Sequence, residues 1–461
     1  MKIAVCSSEV VPFAKTGGLA DVSGALPLAL KKLGHEVIII MPKYKQVLDA
    51  GFRLRKISPD VLVNDEIGVP VYFIEHEQFF NRPGLYGEKT GDYPDNLDRF
   101  SHYSRRALEL LKEIDFKADI IHCHDWQSAL VIIYLKNLYN KDPFYAGIKT
   151  LFTIHNIGYQ GLFSKEEFPK LGLDWGLFNM EALEFYDKIN LLKGGIVFSD
   201  AINTVSVKYS KEIQTKEFGF GLEGVLHKRK DTLFGIINGL DYSIWNPATD
   251  KYIFKRYSLK KLSDKYKNKE ALQKLCGLPK KNVPLFGMVS RLAAQKGLDI
   301  FALAIEQFCK LELQLVILGT GDLKYHVILE DIAKRYPKVV SLHLKFDDPL
   351  AHKIYAGCDI FLMPSHYEPC GLGQMISMSY GTIPLVYKTG GLADTVNEKN
   401  GFVFSKYTKD DFLKTVKKAI STYKNKKAWQ KLMISGMQTN FSWEESAQKY
   451  VKLYKKLVFK A

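Results

Sequence analysis

Short runs of β-branched and apolar residues alternate with longer helical patterns along most of this chain, and this alternation constrains the fold more than any other feature. It is typical of the α/β class, in which each parallel strand is followed by a helix. In the first half the predicted strands are Ile3–Cys6, Val37–Met41, Val71–Glu75, Ile120–Cys123, Thr150–Ile154, Ala201–Val205 and Phe234–Ile237. In the second half they are Leu285–Val289, Leu315–Leu318, Ser341–Leu344, Ile360–Met363, Ile383–Val386 and Phe402–Phe404.

The interruption between the two sets of strands predicts a domain boundary. The 461 residues exceed what one hydrophobic core usually supports. A polar, lysine-rich segment over Asp241–Val283 separates the sets, and we predict the inter-domain linker and the start of the second domain there. We therefore expect two doubly wound domains that face each other across a cleft, with ligands bound outside the carboxyl ends of the strands.

Charge and hydropathy argue against two other classes of protein. The formal net charge is +15, but the basic residues are dispersed, as at Lys260-Lys261 and Lys280-Lys281, and are not interleaved with aromatic residues as in a nucleic-acid-binding module. We predict no main role in binding nucleic acid. The longest apolar run, Ala129–Leu135, is far shorter than the ~18 residues that span a bilayer, so no membrane segment is expected.

The N-terminus and the cysteines indicate where the protein resides. The first residues lead directly into a strand-like segment, without the apolar region and cleavage site of a signal peptide. The six cysteines are scattered, and no C-x-x-C pair occurs among them. In a chain with a large core this distribution indicates reduced thiols and a cytoplasmic protein.

One heptapeptide, KTGGLAD, occurs twice. The first copy begins at Lys15 and the second at Lys388. Each follows a strand-like run and precedes a helical pattern, so each could form a glycine-rich nest whose backbone N–H groups bind an anion. Each could also be a strand-to-helix turn in which glycine relieves steric strain. For the second copy the sequence does not separate these two interpretations.

Two cations follow the first predicted strand of the second half. Arg291 comes just after Leu285–Val289, and Lys296 lies five residues later. A planar guanidinium together with a lysine point charge suits a diphosphate. The sequence contains no Asp-x-Asp triplet, which many sugar transferases use to bind a metal, so fixed cations and backbone N–H groups would have to replace the metal. Alone this pair is a weak signal, because surface Arg and Lys are usually inert.

The segment PSHYEPCGLGQ follows the predicted strand Ile360–Met363 and precedes a helical pattern. Glu368 lies in it at the end where ligands bind, and Gly371 and Gly373 leave backbone N–H groups open to a phosphate. The Glu368 carboxylate could accept hydrogen bonds from sugar hydroxyls. It could also simply cap the following helix.

Histidines end two predicted strands of the first half. His122 and His124 lie at positions i and i+2, so they point to the same face of their strand. Zinc would need a third ligand at a useful spacing, which the sequence lacks, and we predict that His122 is a hydrogen-bonded core residue. His155 and Asn156 end the next strand and are better placed to face a substrate. No P-loop and no G-x-S-x-G motif occurs.

Taken together, these segments resemble the bacterial glycogen synthases and plant starch synthases, collinearly over nearly the whole chain. The segments that carry the resemblance are SSEVVPFAKTGGLADV (Ser7–Val22), HCHDW (His122–Trp126), TIHNIGYQG (Thr153–Gly161), LLKGGIVFSDAINTVS (Leu191–Ser206), FGFGLEGVL (Phe218–Leu226), INGLD (Ile237–Asp241), SRLAAQKG (Ser290–Gly297), LGTGD (Leu318–Asp322), PSHYEPCGLGQ (Pro364–Gln374) and YGTIPLVYKTGGLADTV (Tyr380–Val396).

The resemblance implies a GT-B fold with two Rossmann-like domains. An N-terminal domain, 1–241, would be completed by a returning C-terminal helix within 442–461, near Ser442–Phe459, and residues 242–441 would form the nucleotide-sugar-binding domain. It also implies a retaining transferase that needs no metal or other cofactor. The enzyme would move glucose from ADP-glucose, or alternatively UDP-glucose, to the non-reducing 4-hydroxyl of an α-1,4-glucan such as glycogen. The sequence does not indicate the oligomeric state.

The resemblance further implies roles for individual residues. Lys15 with Gly17 and Gly18 is similar to the loop that reaches the distal phosphate and the acceptor. Arg291 and Lys296 resemble the diphosphate clamp. Glu368 corresponds to the carboxylate that holds the donor glucose, and His155 to the residue that reaches its 6-hydroxyl. The remaining implied contacts, polar side chains near the sugar or backbone donors near the phosphates, are Asp21, Asp125, Asn156, Asn238, Cys370, Gly371, Leu372 and Gly373.

Two positions depart from the family pattern. Phe346 stands where a tyrosine that stacks near the base is expected, which leaves the base preference open, and Gly373 stands where many relatives carry Thr or Ser. The nearest competing hypothesis is another retaining GT-B enzyme, of the sucrose-synthase or GT4 type. Those enzymes usually carry a second glutamate eight positions after the first, and here that position is Ile376. A glucan- or nucleotide-binding protein without activity is a further alternative.

Overall fold

The computed structural model describes residues 1–88 and 91–459, and the chain divides into two compact units. The first domain comprises Met1–Gly239 together with the segment that begins at Trp443. The second domain comprises Leu240–Ser442.

The first domain is built around a mixed sheet. In chain order its strands are β1 (Lys2–Cys6), β2 (Glu36–Pro42), β3 (Arg55–Ser58), β4 (Val61–Asn64), β5 (Val71–Ile74), β6 (Gly87–Glu88), β7 (Gly91–Asp92), β8 (Ile120–His124), β9 (Lys149–Ile154), β10 (Leu162–Ser164), β11 (Glu184–Phe185), β12 (Lys188–Asn190), β13 (Ala201–Thr204) and β14 (Leu233–Gly235). The main sheet has the order β14-β13-β9-β8-β1-β2-β5-β4-β3. Every neighbouring pair from β14 to β5 is parallel, and β5-β4 and β4-β3 are antiparallel.

The parallel strands are buried on both faces, as their continuous apolar sequences predict. Ile3–Cys6 of β1 are fully buried, and so are Ile39–Met41 of β2. Each predicted strand overlaps an observed one, although the last lies at Leu233–Gly235 instead of Phe234–Ile237. One edge of the sheet is antiparallel, where β3 and β4 form a hairpin that was not predicted. The small antiparallel sheet β10-β12-β11 was also not expected.

The helices of the first domain lie between these strands. In chain order they are α1 (Gly18–Lys32), α2 (Lys45–Asp49), α3 (Glu77–Phe80), α4 (Asn96–Glu113), α5 (Asp125–Asn137), α6 (Leu191–Phe198), α7 (Val207–Glu212) and α8 (Glu223–Lys228). The strand order runs outward from β1 through β2 to β5, then continues on the other side from β8 through β9 and β13. The sheet therefore changes direction between β1 and β8. In doubly wound sheets ligands bind at such a point, outside the carboxyl ends of the two strands.

The second domain has a parallel sheet in the order β17-β16-β15-β18-β19-β20. Its strands are β15 (Leu285–Val289), β16 (Gln314–Leu318), β17 (Val340–His343), β18 (Ile360–Met363), β19 (Ile383–Tyr387) and β20 (Phe402–Phe404). Its helices are α9 (Lys265–Leu275), α10 (Leu298–Cys309), α11 (Leu323–Arg335), α12 (Asp348–Gly357), α13 (Gly373–Ser379), α14 (Gly390–Thr395), α15 (Lys409–Lys424) and α16 (Lys426–Gln438). This is the doubly wound order of dinucleotide-binding sheets, and its direction changes between β15 and β18.

The lysine-rich segment before β15, where we predicted the linker and the start of the second domain, lies within the second domain, which begins at Leu240. Within it, α9 packs against α12. Lys265 is only 3% exposed, and its ammonium donates to the Ala356 carbonyl at 2.8 Å and to the Thr382 hydroxyl at 2.6 Å. The long aliphatic stem and specific partners let this lysine be buried, which composition does not reveal.

The last helix, α17 (Trp443–Val458), belongs to the first domain. Its Tyr450 hydroxyl accepts a hydrogen bond from the Asn203 side chain at 2.9 Å, and its Tyr454 hydroxyl lies 2.8 Å from His122 Nδ1. Because the other ring nitrogen of His122 bonds to the Thr153 hydroxyl at 2.7 Å, the prediction of a hydrogen-bonded core histidine is confirmed. None of the helices within 1–88 and 91–459 combines the length and the apolar character needed to cross a bilayer.

Candidate active site

The carboxyl ends of β15 and β18 border a cavity of about 250 Å³ in the second domain. It lies where the strand order changes direction, which is where open α/β sheets bind ligands. Its polar lining combines two cations, a carboxylate and three hydroxyl groups. These belong to Ser290, Arg291, Lys296, Tyr355, Ser365 and Glu368. The structure thus brings together the predicted residues Arg291, Lys296 and Glu368.

Glu368 lies deep in this cavity and is 6% exposed. Its carboxylate accepts hydrogen bonds from the Lys296 ammonium at 2.6 Å and from the Ser365 hydroxyl at 3.1 Å. Helix α13 begins at Gly373 and has no side-chain hydrogen bond at its N-cap, Leu372. The alternative in which Glu368 merely caps the helix is therefore wrong. The ion pair with Lys296 was not expected, since sequence analysis assigned Lys296 to a diphosphate alone.

Arg291 is exposed at the mouth of the cavity, directly after β15. One of its guanidinium nitrogens lies 3.4 Å from the Gln295 side-chain oxygen. The guanidinium and the Lys296 ammonium therefore line the same cavity from one loop. Together they can meet an anion from two directions.

Hydrogen bonds from two neighbouring segments support the turn between Glu368 and α13. The Gln374 side-chain amide donates to the carbonyl oxygens of Cys370 and Gly371, at 3.0 and 2.9 Å. The second KTGGLAD copy packs against the same turn, where the Gly391 N–H donates to the Glu368 carbonyl oxygen at 3.1 Å. Gly371, Leu372 and Gly373 line the cavity, and Cys370 is buried beside them.

Phe346 follows β17 and is 90% exposed. It does not belong to the lining of the cavity, within the described residues. The structure therefore places this predicted base-stacking residue on the surface of the second domain, with its whole ring face available.

In the first domain the first KTGGLAD copy connects β1 to α1. The Lys15 ammonium lies 2.7 Å from the Asp21 carboxylate, and both side chains are partly exposed. A Cβ atom added at Gly17 or Gly18 would meet no atom of the described residues within 4 Å. The backbone here is open on the side where side chains would stand.

Glu9 fixes this loop, and sequence analysis missed it. It is 3% exposed, and its carboxylate accepts from the Thr16 N–H at 2.5 Å, the Thr16 hydroxyl at 2.6 Å, the Gly17 N–H at 3.1 Å and the Tyr86 hydroxyl at 2.7 Å. A glutamate six residues before a lysine carries no recognisable signal. Only the fold shows that it holds the loop.

The loops after β8 and β9 contribute a buried polar cluster. His124 Nδ1 and His155 Nε2 are 2.9 Å apart, with one ring donating and the other accepting. The Asp125 carboxylate accepts from the His155 N–H at 2.7 Å, and Asp125 itself has the left-handed φ of 55°. Such strain in a non-glycine residue is typical of functional sites.

Burial determines the charge of this cluster. It lowers the pKa of His155 to about 3, so that the ring is neutral at neutral pH. Burial, together with the negative charge of Glu9, raises the pKa of the Asp125 carboxyl to about 7, although the hydrogen bond from the His155 backbone opposes this shift. The cluster therefore presents neutral or half-ionised groups, which suit sugar hydroxyls better than phosphates.

Two asparagines complete the predicted first-domain residues. The Asn156 side chain accepts from the Gly158 N–H at 3.0 Å, which shapes the turn after β9. Asn238 is buried, and its side-chain oxygen has no hydrogen-bond partner in the described part of the chain. A buried acceptor without a protein partner costs about 1–3 kcal/mol unless a water or a ligand pairs with it.

Comparison with known proteins agrees with this architecture. Residues 2–228 match the family model for the starch synthase catalytic domain, and residues 256–432 match that for glycosyl transferases group 1. The glycogen synthase of Geotalea uraniireducens (strain Rf4) is 50% identical, over 99% of this chain and 98% of that protein. The glycogen synthase of Thermosipho melanesiensis is 48% identical over the full length of both.

Among solved structures, the catalytic domain of starch synthase IV from Arabidopsis thaliana, bound to ADP and acarbose, superposes with a TM-score of 0.88 at 37% identity over 99% of both chains. The sucrose-phosphate synthase of Thermosynechococcus elongatus shares the fold, with a TM-score of 0.64 at 18% identity over 100% of both chains. These similarities and the two doubly wound sheets define a glycosyltransferase of the GT-B fold, which confirms the predicted fold class. Within that class, the chain belongs to the family of glycogen and starch synthases.

Proposed function

We propose that this chain is a glycogen synthase that transfers glucose from ADP-glucose to the non-reducing 4-hydroxyl of an α-1,4-glucan, with retention of configuration and without a metal ion. The second-domain cavity carries the proposal, because Arg291 and Lys296 lie there beside the buried carboxylate of Glu368. A nucleoside-diphosphate sugar has the complementary chemistry. Its phosphates need cations, and its sugar hydroxyls need an acceptor.

The two cations act differently on the diphosphate. The Arg291 guanidinium can fork across two phosphate oxygens, whereas the Lys296 ammonium is a point charge with three N–H donors. Lys296 can therefore keep its hydrogen bond to Glu368 and still donate to a phosphate. Backbone N–H groups of Cys370–Gly373 would add further donors. This arrangement needs no metal to bind the diphosphate.

The same groups would stabilise the transition state. As the bond between the glucose C1 and the distal phosphate oxygen breaks, negative charge grows on that phosphate. Fixed cations in a partly enclosed cavity stabilise this charge without reorganising. Glu368 would accept hydrogen bonds from the glucose hydroxyls and hold the ring while the acceptor attacks from the side that the phosphate leaves.

For the first domain we propose roles toward the acceptor and the distal phosphate. Lys15 and the open backbone of Gly17 and Gly18 would contact the phosphate. The neutral His155 ring would bond to a hydroxyl of the donor glucose. Asp125 and the unpaired oxygen of Asn238 would bind further sugar hydroxyls.

The choice of ADP over UDP is supported by the resemblance to the bacterial enzymes. The solved starch synthase IV structure contains ADP, which is a property of that protein. Another retaining GT-B activity is the alternative. We also propose that the protein is cytoplasmic, which its free cysteines support.

The direct test is transfer of labelled glucose to glycogen, with ADP-glucose and UDP-glucose compared at equal concentration. We expect faster transfer from ADP-glucose and a product that an α-1,4-specific amylase degrades. Faster turnover with UDP-glucose would contradict the donor assignment, and no transfer from either donor would contradict the function.

The metal-free clamp is tested in the same assay with excess chelator. Activity should survive. Arg291→Lys should still lower kcat/KM, with a loss of transition-state stabilisation of about 2 kcal/mol or more, because lysine cannot copy the planar fork. The matched control is Lys431→Met on the exposed face of α16, which should have no effect. Loss of wild-type activity in chelator would defeat the metal-free mechanism.

A further inference from the structure

Tyr355 points its hydroxyl into the second-domain cavity. It lies in α12, is 5% exposed and lines the cavity beside Ser290 and Gly373. Among the described residues its hydroxyl has no hydrogen-bond partner. A phenylalanine at this position would pack and be buried equally well, so the hydroxyl itself has no structural explanation. This hydroxyl is not one of the fully buried atoms without a partner in the described part of the chain, so it is open to the cavity, where a ligand can reach it.

The surroundings fix the direction of the ring. Tyr355 packs edge to face with Trp245 at 5.6 Å between ring centroids, and lies 4.7 Å from Phe361. The buried Lys265 donates to the next carbonyl, that of Ala356, at 2.8 Å and so anchors the end of α12. The side chain is therefore held in place and cannot turn away to find another partner.

Gly373 leaves room for this hydroxyl. A Cβ atom added at Gly373 would lie 3.3 Å from the Tyr355 hydroxyl oxygen, 2.9 Å from Phe361 and 3.1 Å from the Met363 sulfur. The hydroxyl therefore lies directly against the backbone of Gly373, in space that a side chain would otherwise fill. Tyrosine at 355 and glycine at 373 form a complementary pair in the wall of the cavity.

We propose that Tyr355 is a donor-binding residue whose hydroxyl donates a hydrogen bond to a phosphate oxygen of the bound nucleoside diphosphate. This inference rests on the proposed function and adds a neutral donor to the cationic clamp of Arg291 and Lys296. A phosphate is the matching ligand because the hydroxyl lines the same cavity as both cations. The carboxylate that would hold the sugar already carries hydrogen bonds from Lys296 and Ser365.

The protonation of the phenol agrees with a donor role. Burial raises the pKa of the Tyr355 hydroxyl, and so the phenol is protonated at neutral pH. It can thus donate but carries no charge that would repel the phosphate. A hydrogen bond from a neutral hydroxyl to a charged group is worth about ten- to a hundredfold in affinity.

The test is calorimetric titration of ADP into the full chain and into Tyr355→Phe, which removes only the hydroxyl. We expect the dissociation constant for ADP to rise about tenfold or more, and the KM for ADP-glucose to rise by a similar factor. The thermal midpoint should not change, because no protein hydrogen bond is lost. A structural role would lower that midpoint and leave ADP affinity unchanged.

Tyr380→Phe is the matched control. The Tyr380 hydroxyl donates to the buried Asp250 carboxylate at 2.6 Å, so its removal should lower the midpoint and leave ADP affinity unchanged. Wild-type ADP affinity in Tyr355→Phe overturns the inference. So does a higher KM for ADP-glucose at unchanged ADP affinity, since the hydroxyl would then contact the glucose. Failure of the unsubstituted chain to bind ADP would overturn the proposed function as well, which distinguishes the two failures.

Discussion

In the first domain KTGGLAD connects β1 to α1, at the point where the strand order changes direction. In the second domain the same heptapeptide connects β19 to α14, and β19 lies one strand beyond β18, where the order changes. The crevice of a doubly wound sheet opens at the change of direction. The first copy therefore lies at the position where doubly wound sheets bind their ligands, and the second copy follows the neighbouring strand.

The glycines show this difference directly. Gly17 and Gly18 have no described neighbour within 4 Å of an added Cβ atom, so neither crowding nor packing requires glycine there. An added Cβ at Gly390 or Gly391 would overlap the carbonyl oxygens of Glu368 and Cys370, respectively. Gly390 also has a left-handed φ of 40°. In the second copy glycine permits two loops to touch, which favours the steric interpretation over the anion nest.

The heptapeptide specifies a turn, and the strand that it follows determines the role of that turn. Both copies form a strand-to-helix connection, as the sequence predicts. Only the first is left open, with Lys15 beside it and Glu9 fixing its backbone. The second supports the turn that carries Glu368.

The largest effect is expected at the carboxylate that the second copy supports. Glu368→Gln keeps the shape but weakens the acceptor and removes the charge that pairs with Lys296. We expect kcat to fall about a hundredfold, or ~3 kcal/mol, with a smaller change in KM, because the hydrogen bonds to glucose strengthen in the transition state. Glu312→Gln on the surface of the same domain is the control. Activity within about threefold of wild type would deny Glu368 a role in the reaction.

Gly391→Ala tests the supporting role of the second copy. The added methyl group would overlap the Cys370 carbonyl, and overpacking of this kind costs about 1–3 kcal/mol. The thermal midpoint should fall by about 2–4 °C for each kcal/mol, and activity should fall with it because the Glu368 turn must move. Gly224→Ala in α8, where an added Cβ meets no described atom, is the control. An unchanged midpoint would show that the two loops are not in close contact.

Gly18→Ala makes the same change in the first copy, and the comparison predicts the opposite pattern. The methyl group fits the folded protein, so the midpoint should stay or rise slightly, since Gly→Ala at a compatible site stabilises by about 0.4–1 kcal/mol. Activity should fall about tenfold, because the methyl would stand where a phosphate approaches the backbone. If Gly18→Ala and Gly391→Ala lower stability equally, the distinction between the copies is wrong.

The apolar strands were predictable because burial on both faces dictates their composition. The predicted strands Leu285–Val289 and Ile360–Met363 match β15 and β18 residue for residue. The hairpin of β3 and β4 was missed because β3, Arg55–Ser58, is polar and largely exposed at the sheet edge. The lysines of α9 lie in the segment where the linker and the start of the second domain were predicted, and composition cannot show that Lys265 and Lys269 find partners in the core.

The sequence predicts those site residues whose side chains suit the ligand and which also lie shortly after a strand, where ligands bind. Arg291, Lys296 and Glu368 satisfy both conditions, and the structure brings them to one cavity. The contacts of Glu9, and the pairing of Lys296 with a carboxylate 72 residues away, depend on tertiary distances that no local pattern encodes. The substrate roles of these residues remain predictions.

The smallest expected effect is the pH dependence of stability, which arises from the buried titratable groups of the first domain. In the first domain burial lowers the pKa values of His122 and His155 to about 3, and burial with the neighbouring imidazoles lowers that of His124. The unfolded chain has histidine pKa values near 6.5, so it binds protons first as the pH falls. Each histidine therefore stabilises the fold fully above pH 6.5, and this contribution is lost as the pH falls toward 3.

Asp125 opposes this trend, because its folded pKa of about 7 lies above the unfolded value of 3.8, so its ionisation lowers stability as the pH rises between these values. Because the histidines outnumber Asp125, the thermal midpoint of the wild type should decrease as the pH is lowered from 6.5 to 5. His155→Gln removes one contributor while keeping a polar partner for His124. Its stability should depend on pH less steeply, by up to about 1.4 kcal/mol per unit. Thermal scans from pH 7 to 5 measure this slope, and the exposed His227→Gln is the control. If the slope of His155→Gln equals that of the wild type, His155 is protonated in the folded enzyme and the prediction is wrong.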